Sequence, residues 1–158
     1  MDMGSVRSGW RDLAERETGV SAAELDALWA ELPVARAEDV LGEWKGAAFP
    51  TEHPLRKALT VNRWYGKTFH SLLDAKPLIC RAEDGSLFSN VELGGGGEAT
   101  LWNIEFRGEV TATMVYDSRP VFDHFKWLDD NTLMGIMNGR PEVVLVDGEH
   151  FYFLLERI

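Results

Sequence analysis

Gly42-Glu43-Trp44-Lys45-Gly46 marks the place where this chain changes period. Ahead of it, apolar residues recur at helical spacing; from about Val40 onward they alternate. Val40, Gly42, Trp44 and Gly46 share one side of an extended segment, and Leu41, Glu43 and Lys45 share the other. A Gly-x-Trp at the head of a long run of strands suits a closed antiparallel barrel with an internal cavity. It does not say what fills that cavity.

Working outward, 54–61 reads as a short helix or irregular crossing, followed by the extended run Trp64-Tyr65-Gly66-Lys67-Thr68-Phe69. Alternation then predicts strands at 76–82, 87–92, 100–107, 109–117, 121–128, 132–138, 142–146 and 150–157. The turns between them are legible. Asp84-Gly85, Asn138-Gly139 and Asp147-Gly148 tolerate the positive φ angles of two-residue hairpins, and Arg107-Gly108 serves the same purpose less typically. Asp129-Asp130-Asn131 is a polar turn. Successive strands with no helix between them exclude βαβ topology and favour a sandwich or barrel. The predicted fold is mainly β: an antiparallel barrel of about eight to nine strands, wide enough for one small ligand. The barrel spans 38–158 and follows an N-terminal helical segment at 1–37, the whole forming one domain.

Upstream, Ser21-Ala22-Ala23-Glu24 is a capping box, and Leu25, Leu28, Trp29 and Leu32 form one apolar helix face ended by Pro33. A weaker helical pattern covers Trp10 to Glu17, with Gly19 separating the two. These helices are expected to pack across an opening or along the outside of the barrel.

Composition narrows the function classes. With 16 basic and 26 acidic residues the net charge is −10, which argues against nucleic acid or an anionic membrane as the main partner. The single cysteine, Cys80, forbids an intrachain disulfide and suits a reducing cytoplasm; it reads as a packed strand residue. Residues 1–10 contain no apolar signal-peptide core, and no run approaches the length of a membrane helix. The expected setting is cytoplasmic. Expected partners are an apolar small molecule, with no nucleic acid and no membrane; a homodimer is left open.

Two glycine-rich stretches mimic phosphate cradles. Gly94-Gly95-Gly96-Gly97 lacks a following Lys-Ser/Thr and reads as a hairpin loop, a lip at the barrel mouth. Gly66-Lys67-Thr68 lacks the earlier glycine, Val61 standing there instead. The densest polar cluster is Tyr116 to Phe125. From Pro120 onward, Val121, Asp123, Phe125 and Trp127 fall on one face, and Phe122, His124 and Lys126 on the other. If the first face lines the cavity, Asp123 is a carboxylate in an apolar barrel, suited to acid–base work, or else a structural partner of Arg119 or Arg63. His124 reads as lying on a mixed, outward face, and Asp117 as a turn cap. Lys67, among Trp64, Tyr65 and Phe69, either binds a ligand's carboxylate or caps the rim. The four histidines, His53, His70, His124 and His150, form no metal-ligand spacing, and no Gly-x-Ser-x-Gly turn is present. No metal and no cofactor are expected. Trp102, Phe106, Met114, Phe125 and Trp127 join Trp44 and Lys67 as candidate ligand contacts, since a Met- and aromatic-rich lining suits a flat or flexible apolar molecule.

Gly42-Glu43-Trp44-Lys45-Gly46 resembles the signature of the GXWXG domain family, with Thr51-Glu52-His53-Pro54, Trp64-Tyr65-Gly66-Lys67 and Pro77-Leu78 similar to its downstream residues. Glu52 stands where the family pattern has glycine. The segment Tyr116 to Phe125, with Leu133-Met134-Gly135, resembles the uncharacterised domain that usually follows. The Gly-x-Trp opening also resembles lipocalins. That likeness implies that Trp44 closes the barrel base and that the cavity takes a hydrophobic molecule. It equally implies an alternative, since some relatives in bacterial secondary metabolism are cyclases or isomerases. In that alternative Asp123 is the general acid or base, assisted by Tyr116, His124 or Asp117, without a cofactor.

Overall fold

A computed structural model of the chain describes residues 3–158, with side chains from Gly9 onward. Residues 1 and 2 of the N-terminal segment lie outside the described residues. Two helices come first, α1 (Met3–Glu15) and α2 (Ala22–Glu31). The capping box at the start of α2 is formed. Ser21 Oγ accepts from Glu24 N at 3.2 Å while the Glu24 carboxylate accepts from Ser21 N at 2.9 Å, satisfying two otherwise free donors.

Nine strands follow: β1 (Gly42–Ala48), β2 (Trp64–Ser71), β3 (Asp74–Arg81), β4 (Leu87–Ser89), β5 (Ala99–Phe106), β6 (Glu109–Tyr116), β7 (Val121–Asp129), β8 (Thr132–Gly139) and β9 (Phe151–Arg157). A seven-residue helix, α3 (Leu55–Val61), separates β1 from β2, and one helical turn, α4 (Pro141–Val144), separates β8 from β9. Strands β2-β1-β9-β8-β7-β6-β5-β3 pair in that order, and β2 also pairs with β3. The sheet therefore closes as an eight-stranded antiparallel barrel, and β4 is an extra strand on the outer part of β3. Closure is uneven: β3 meets β5 in the ladder only at Ala75–Ala99.

Alternation sorts the side chains into two cores. The inward set, including Trp44, Phe69, Leu101, Met114, Phe125, Leu133, Phe153 and Leu155, fills the barrel. The outward residues Leu128, Met134, Ile136, Tyr152 and Leu154 are covered by Trp10, Leu25, Leu28 and Trp29 of α1 and α2. Thus the helices lie along the outside of the barrel. None of the described helices is long and apolar enough to cross a membrane.

Two local expectations are corrected. The segment 142–146 is not a strand: Pro141 opens the single helical turn α4, and only Val146 makes a bridge, to Glu149. Its run of β-branched residues loses to a proline whose fixed φ suits a first helical turn. Asn138-Gly139 is not a hairpin tip either, because β8 runs through Gly139 before turning into α4. Arg107-Gly108 and Asp147-Gly148, by contrast, both adopt positive φ, at 54° and 81° and at 52° and 77°.

Candidate functional site

The glycines of the opening motif serve the side chains around them. Trp44 is buried at one end of the barrel. Its indole N–H donates to Val40 O at 2.9 Å, Trp127 lies 6.3 Å away, and the Arg157 guanidinium sits 4.3 Å from the ring. Gly46 lies under the Trp64 indole: a Cβ there would fall 2.2 Å from the ring. Gly66 lets β2 approach β1, since a Cβ would fall 1.9 Å from Trp44 O.

Around Gly66 the β2–β3 register slips twice. Simple alternation would place Trp64 and Lys67, three residues apart, on opposite faces. Lys67 shares the inner face with Phe69, two residues on, and with its cross-strand partner Trp44; the irregularity turns Trp64 inward as well, as bulges do. Lys67 therefore reaches Asp123, which alternation alone already places on the inner face of β7.

Above the packed base lies a cavity of about 230 Å³. Its walls are mostly apolar: Leu78, Val121, Met137, Phe151 and Phe153 from the strands, Val143 from α4, and Leu55, Ala58 and Leu59 from α3, with Asn62 and the exposed Arg119 also on the lining. Leu93, at the start of the glycine-rich loop, also lines it, held by Arg119 through Nε and Nη2 at 3.2 and 2.8 Å from Leu93 O. The loop is thus a lip at this end of the barrel. No residue of α3, which covers the cavity, is buried.

Three polar groups meet in this apolar space. Lys67 Nζ lies 3.0 Å from Asp123 Oδ2, with both side chains 3 % exposed. The ammonium also donates to Pro77 O at 3.2 Å. The rings of Phe153, Trp64 and Tyr116 surround it at 5.2, 5.6 and 5.7 Å. Burial raises the Asp123 carboxyl above the ordinary carboxylate range, and the neighbouring Lys67 partly opposes that rise. Burial, reinforced by Asp123, holds the Tyr116 phenol well above its usual range. Among the described residues, neither the second Asp123 oxygen nor the Tyr116 hydroxyl has a hydrogen-bond partner, although both residues line the cavity.

The other candidates lie elsewhere. Asp123 pairs with Lys67, not with Arg119 or Arg63. His124 faces away from the barrel interior but is not solvent-exposed: it is buried, with the Phe106 ring stacked on it. Its Nδ1 accepts from or donates to Thr113 Oγ1 at 2.8 Å, its Nε2 meets Asn138 Nδ2 at 3.0 Å, and its ring stacks on Phe106 at 4.0 Å. Burial first, then His150 and Arg107, pushes its pKa down to about 4. Asp117 is exposed at the end of β6 and does not line the cavity. Phe106 and Trp102 are also outside. Leu101 points inward, so the even-numbered residues of β5 point outward, and Trp102 is 50 % exposed. Met114, Phe125, Trp127 and Trp44 do point inward, but they fill the barrel below the cavity and do not line it. His53 is a buried hinge pin: Leu55 N donates to its Nδ1 at 3.2 Å, and its Nε2 donates to Val144 O at 3.1 Å. His70 is exposed, and Cys80 is buried with its thiol pushed up by burial. Among the described residues no group of three His, Cys, Asp or Glu side chains is placed to hold a metal.

Alternation did not reveal the cavity's cover. Leu55, Ala58 and Leu59 do carry an i, i+3, i+4 signal, but nothing in that spacing says which surface the helix meets.

Residues 27–85 match the family described as GXWXG protein, and residues 97–157 match the domain of unknown function DUF4334. This chain joins a GXWXG region to a DUF4334 domain. The GXWXG region supplies β1 to β3 and Lys67; the DUF4334 domain supplies β5 to β9 with Tyr116 and Asp123. The ion pair therefore bridges the two matched segments. A solved structure of a protein from Thermomonospora curvata is similar, at 29 % identity and a TM-score of 0.86, covering 98 % of this chain and 99 % of that one. No curated protein matches the chain significantly.

Proposed function

We propose that this protein binds a small, uncharged and largely apolar molecule in the upper half of the barrel, with the ligand's one polar group at Lys67, Asp123 and Tyr116. The observation that carries this reading is the cavity itself: largely apolar walls around the inner cluster of Lys67, Asp123 and Tyr116, two of which have hydrogen-bonding capacity that no described residue uses. Volume sets the ligand's size. An apolar cavity of about 150 Å³ holds benzene, so a site of this volume holds a molecule of about ten non-hydrogen atoms. A long-chain lipid does not fit it. Charge sets its type. Lys67 and Asp123 already neutralise one another, so a carboxylate or ammonium beside them would carry an uncompensated charge out of water; Arg119, the other cation on the lining, lies at the exposed rim and is held by Leu93 O.

Thermal melts and native mass spectrometry with neutral alcohols and ketones of about that size, and with palmitate for contrast, test this. Saturable stabilisation and a one-to-one adduct with the neutral compounds are expected. Binding of palmitate alone, or of neither class, would overturn the reading.

A second reading rests on Asp123. Its raised pKa and unpaired second oxygen also suit a general acid or base in a cofactor-free isomerase or cyclase, with Tyr116 polarising the substrate. Asp123→Asn separates the two: loss of turnover with retained binding favours the enzyme, whereas unchanged behaviour favours the binder.

A further inference from the structure

Resting on the binding reading above, we propose that the ligand is an aldehyde or ketone and that Lys67 condenses with its carbonyl to form an imine, with Asp123 as the proton carrier and counter-ion. Lys67 is the one lysine lining the cavity. Of its three ammonium hydrogens, two are taken by Asp123 Oδ2 and Pro77 O, and no further polar acceptor exists for the third among the described residues. The ring cage of Trp64, Tyr116 and Phe153 favours a cation at that nitrogen. An iminium nitrogen places the same charge at the same point. Condensation therefore leaves the charge balance of the pair intact, whereas a carboxylate ligand would disturb it.

The proton traffic closes on the residues present. Lys67 passes one proton to Asp123, giving a neutral amine and a carboxylic acid. The nitrogen lone pair attacks the carbonyl carbon, and a second proton moves from nitrogen to the former carbonyl oxygen, giving a carbinolamine. Asp123 returns its proton to that hydroxyl, the carbon–oxygen bond breaks, and water leaves. The products are a protonated imine on Lys67, the Asp123 carboxylate and one water molecule. The step needs no oxidant and no cofactor. The Tyr116 hydroxyl, free of other partners, is available to donate to the carbonyl oxygen before attack.

The test uses cinnamaldehyde as the probe, cinnamyl alcohol as its unreactive counterpart, and cyanoborohydride to trap the imine before peptide mapping. The expected result is a single reduced adduct at Lys67, blocked by excess cinnamyl alcohol and absent from a folded Lys67→Arg variant. Trapping in Asp123→Asn should be slower by about a hundredfold, the usual scale of a lost general acid–base group. Thermal melts of both variants establish that they fold. Modification confined to exposed lysines such as Lys45 and Lys57, with Lys67 untouched, overturns the proposal. If cinnamyl alcohol still stabilises the protein in that case, the binding reading survives and only the imine falls. If neither compound binds, both fall.

Discussion

The two ends of the barrel interior are built on opposite plans. At the base, Trp44, Met114, Phe125, Leu133 and Leu155 are buried to within 1 % and fill the section completely. At the other end Trp64, Tyr116, Phe151 and Phe153 line a space they do not fill, a cavity remains, and its cover is a helix without a buried residue. The packed end holds the strands at their spacing, which lets the hollow end keep an ion pair in apolar surroundings. Stability is concentrated in one half and binding capacity in the other.

Removing the plug is the harshest way to break this contrast. Trp44→Ala should cost about 4–5 kcal/mol, since a fully buried tryptophan leaves a void its neighbours cannot fill. Urea melts measure the loss, and a cost under about 1 kcal/mol would show that the base does not hold the barrel. Next comes the hollow end. Lys67→Met alone should cost about 3–4 kcal/mol by stranding the Asp123 charge, whereas Lys67→Met with Asp123→Leu should restore wild-type stability or exceed it. A double variant as unstable as the single would mean that the pair holds the fold rather than the site.

His124 probes the layer outside the barrel. Its folded pKa is about 4 against an ordinary 6.5, so between those values the unfolded chain binds more protons. The stability it contributes is complete above pH 6.5 and is lost as pH falls toward 4. The loss amounts to about 3 kcal/mol at 1.36 kcal/mol per pKa unit. His124→Gln should flatten the stability curve across that window, as read from urea midpoints at pH 7 and pH 4.5. An unaltered curve would assign the acid sensitivity elsewhere. The smallest effect on stability belongs to the cover: Leu59→Ala in α3 should change it by about 1 kcal/mol or less while speeding ligand release. Stopped-flow release rates that do not move would remove α3 from the path of entry.

Much of this was legible in the residues. The alternation from Val121 to Trp127 placed Asp123 inside and His124 outside, and the Gly-x-Trp placed Trp44 in the barrel wall. What alternation could not supply was the partner of Asp123. Lys67 keeps the inner parity of Phe69 and of its cross-strand partner Trp44, whereas Trp64 joins it there only because β2 slips register around Gly66, and a slip of one residue reverses a whole face. The same sensitivity explains Trp102 and Phe106. Both are aromatic residues in a plausible strand, and their outward parity becomes clear only once Leu101 is known to point in. His124 shows a third limit: outward from a barrel does not mean toward water when a ring such as Phe106 covers the side chain. The 142–146 segment failed for a local reason, because Val143, Val144 and Val146 look like a strand until Pro141 sets the backbone.

The bridge between Lys67 and Asp123 also bears on how such a gene can be cut. One charge comes from the segment before the glycine-rich loop and the other from the segment after it. A chain split near 90–97 would leave each product with an unpaired strand edge and a lone charge facing an apolar interior. Neither piece could be exchanged for an unrelated module without carrying in the opposite charge at the matching position.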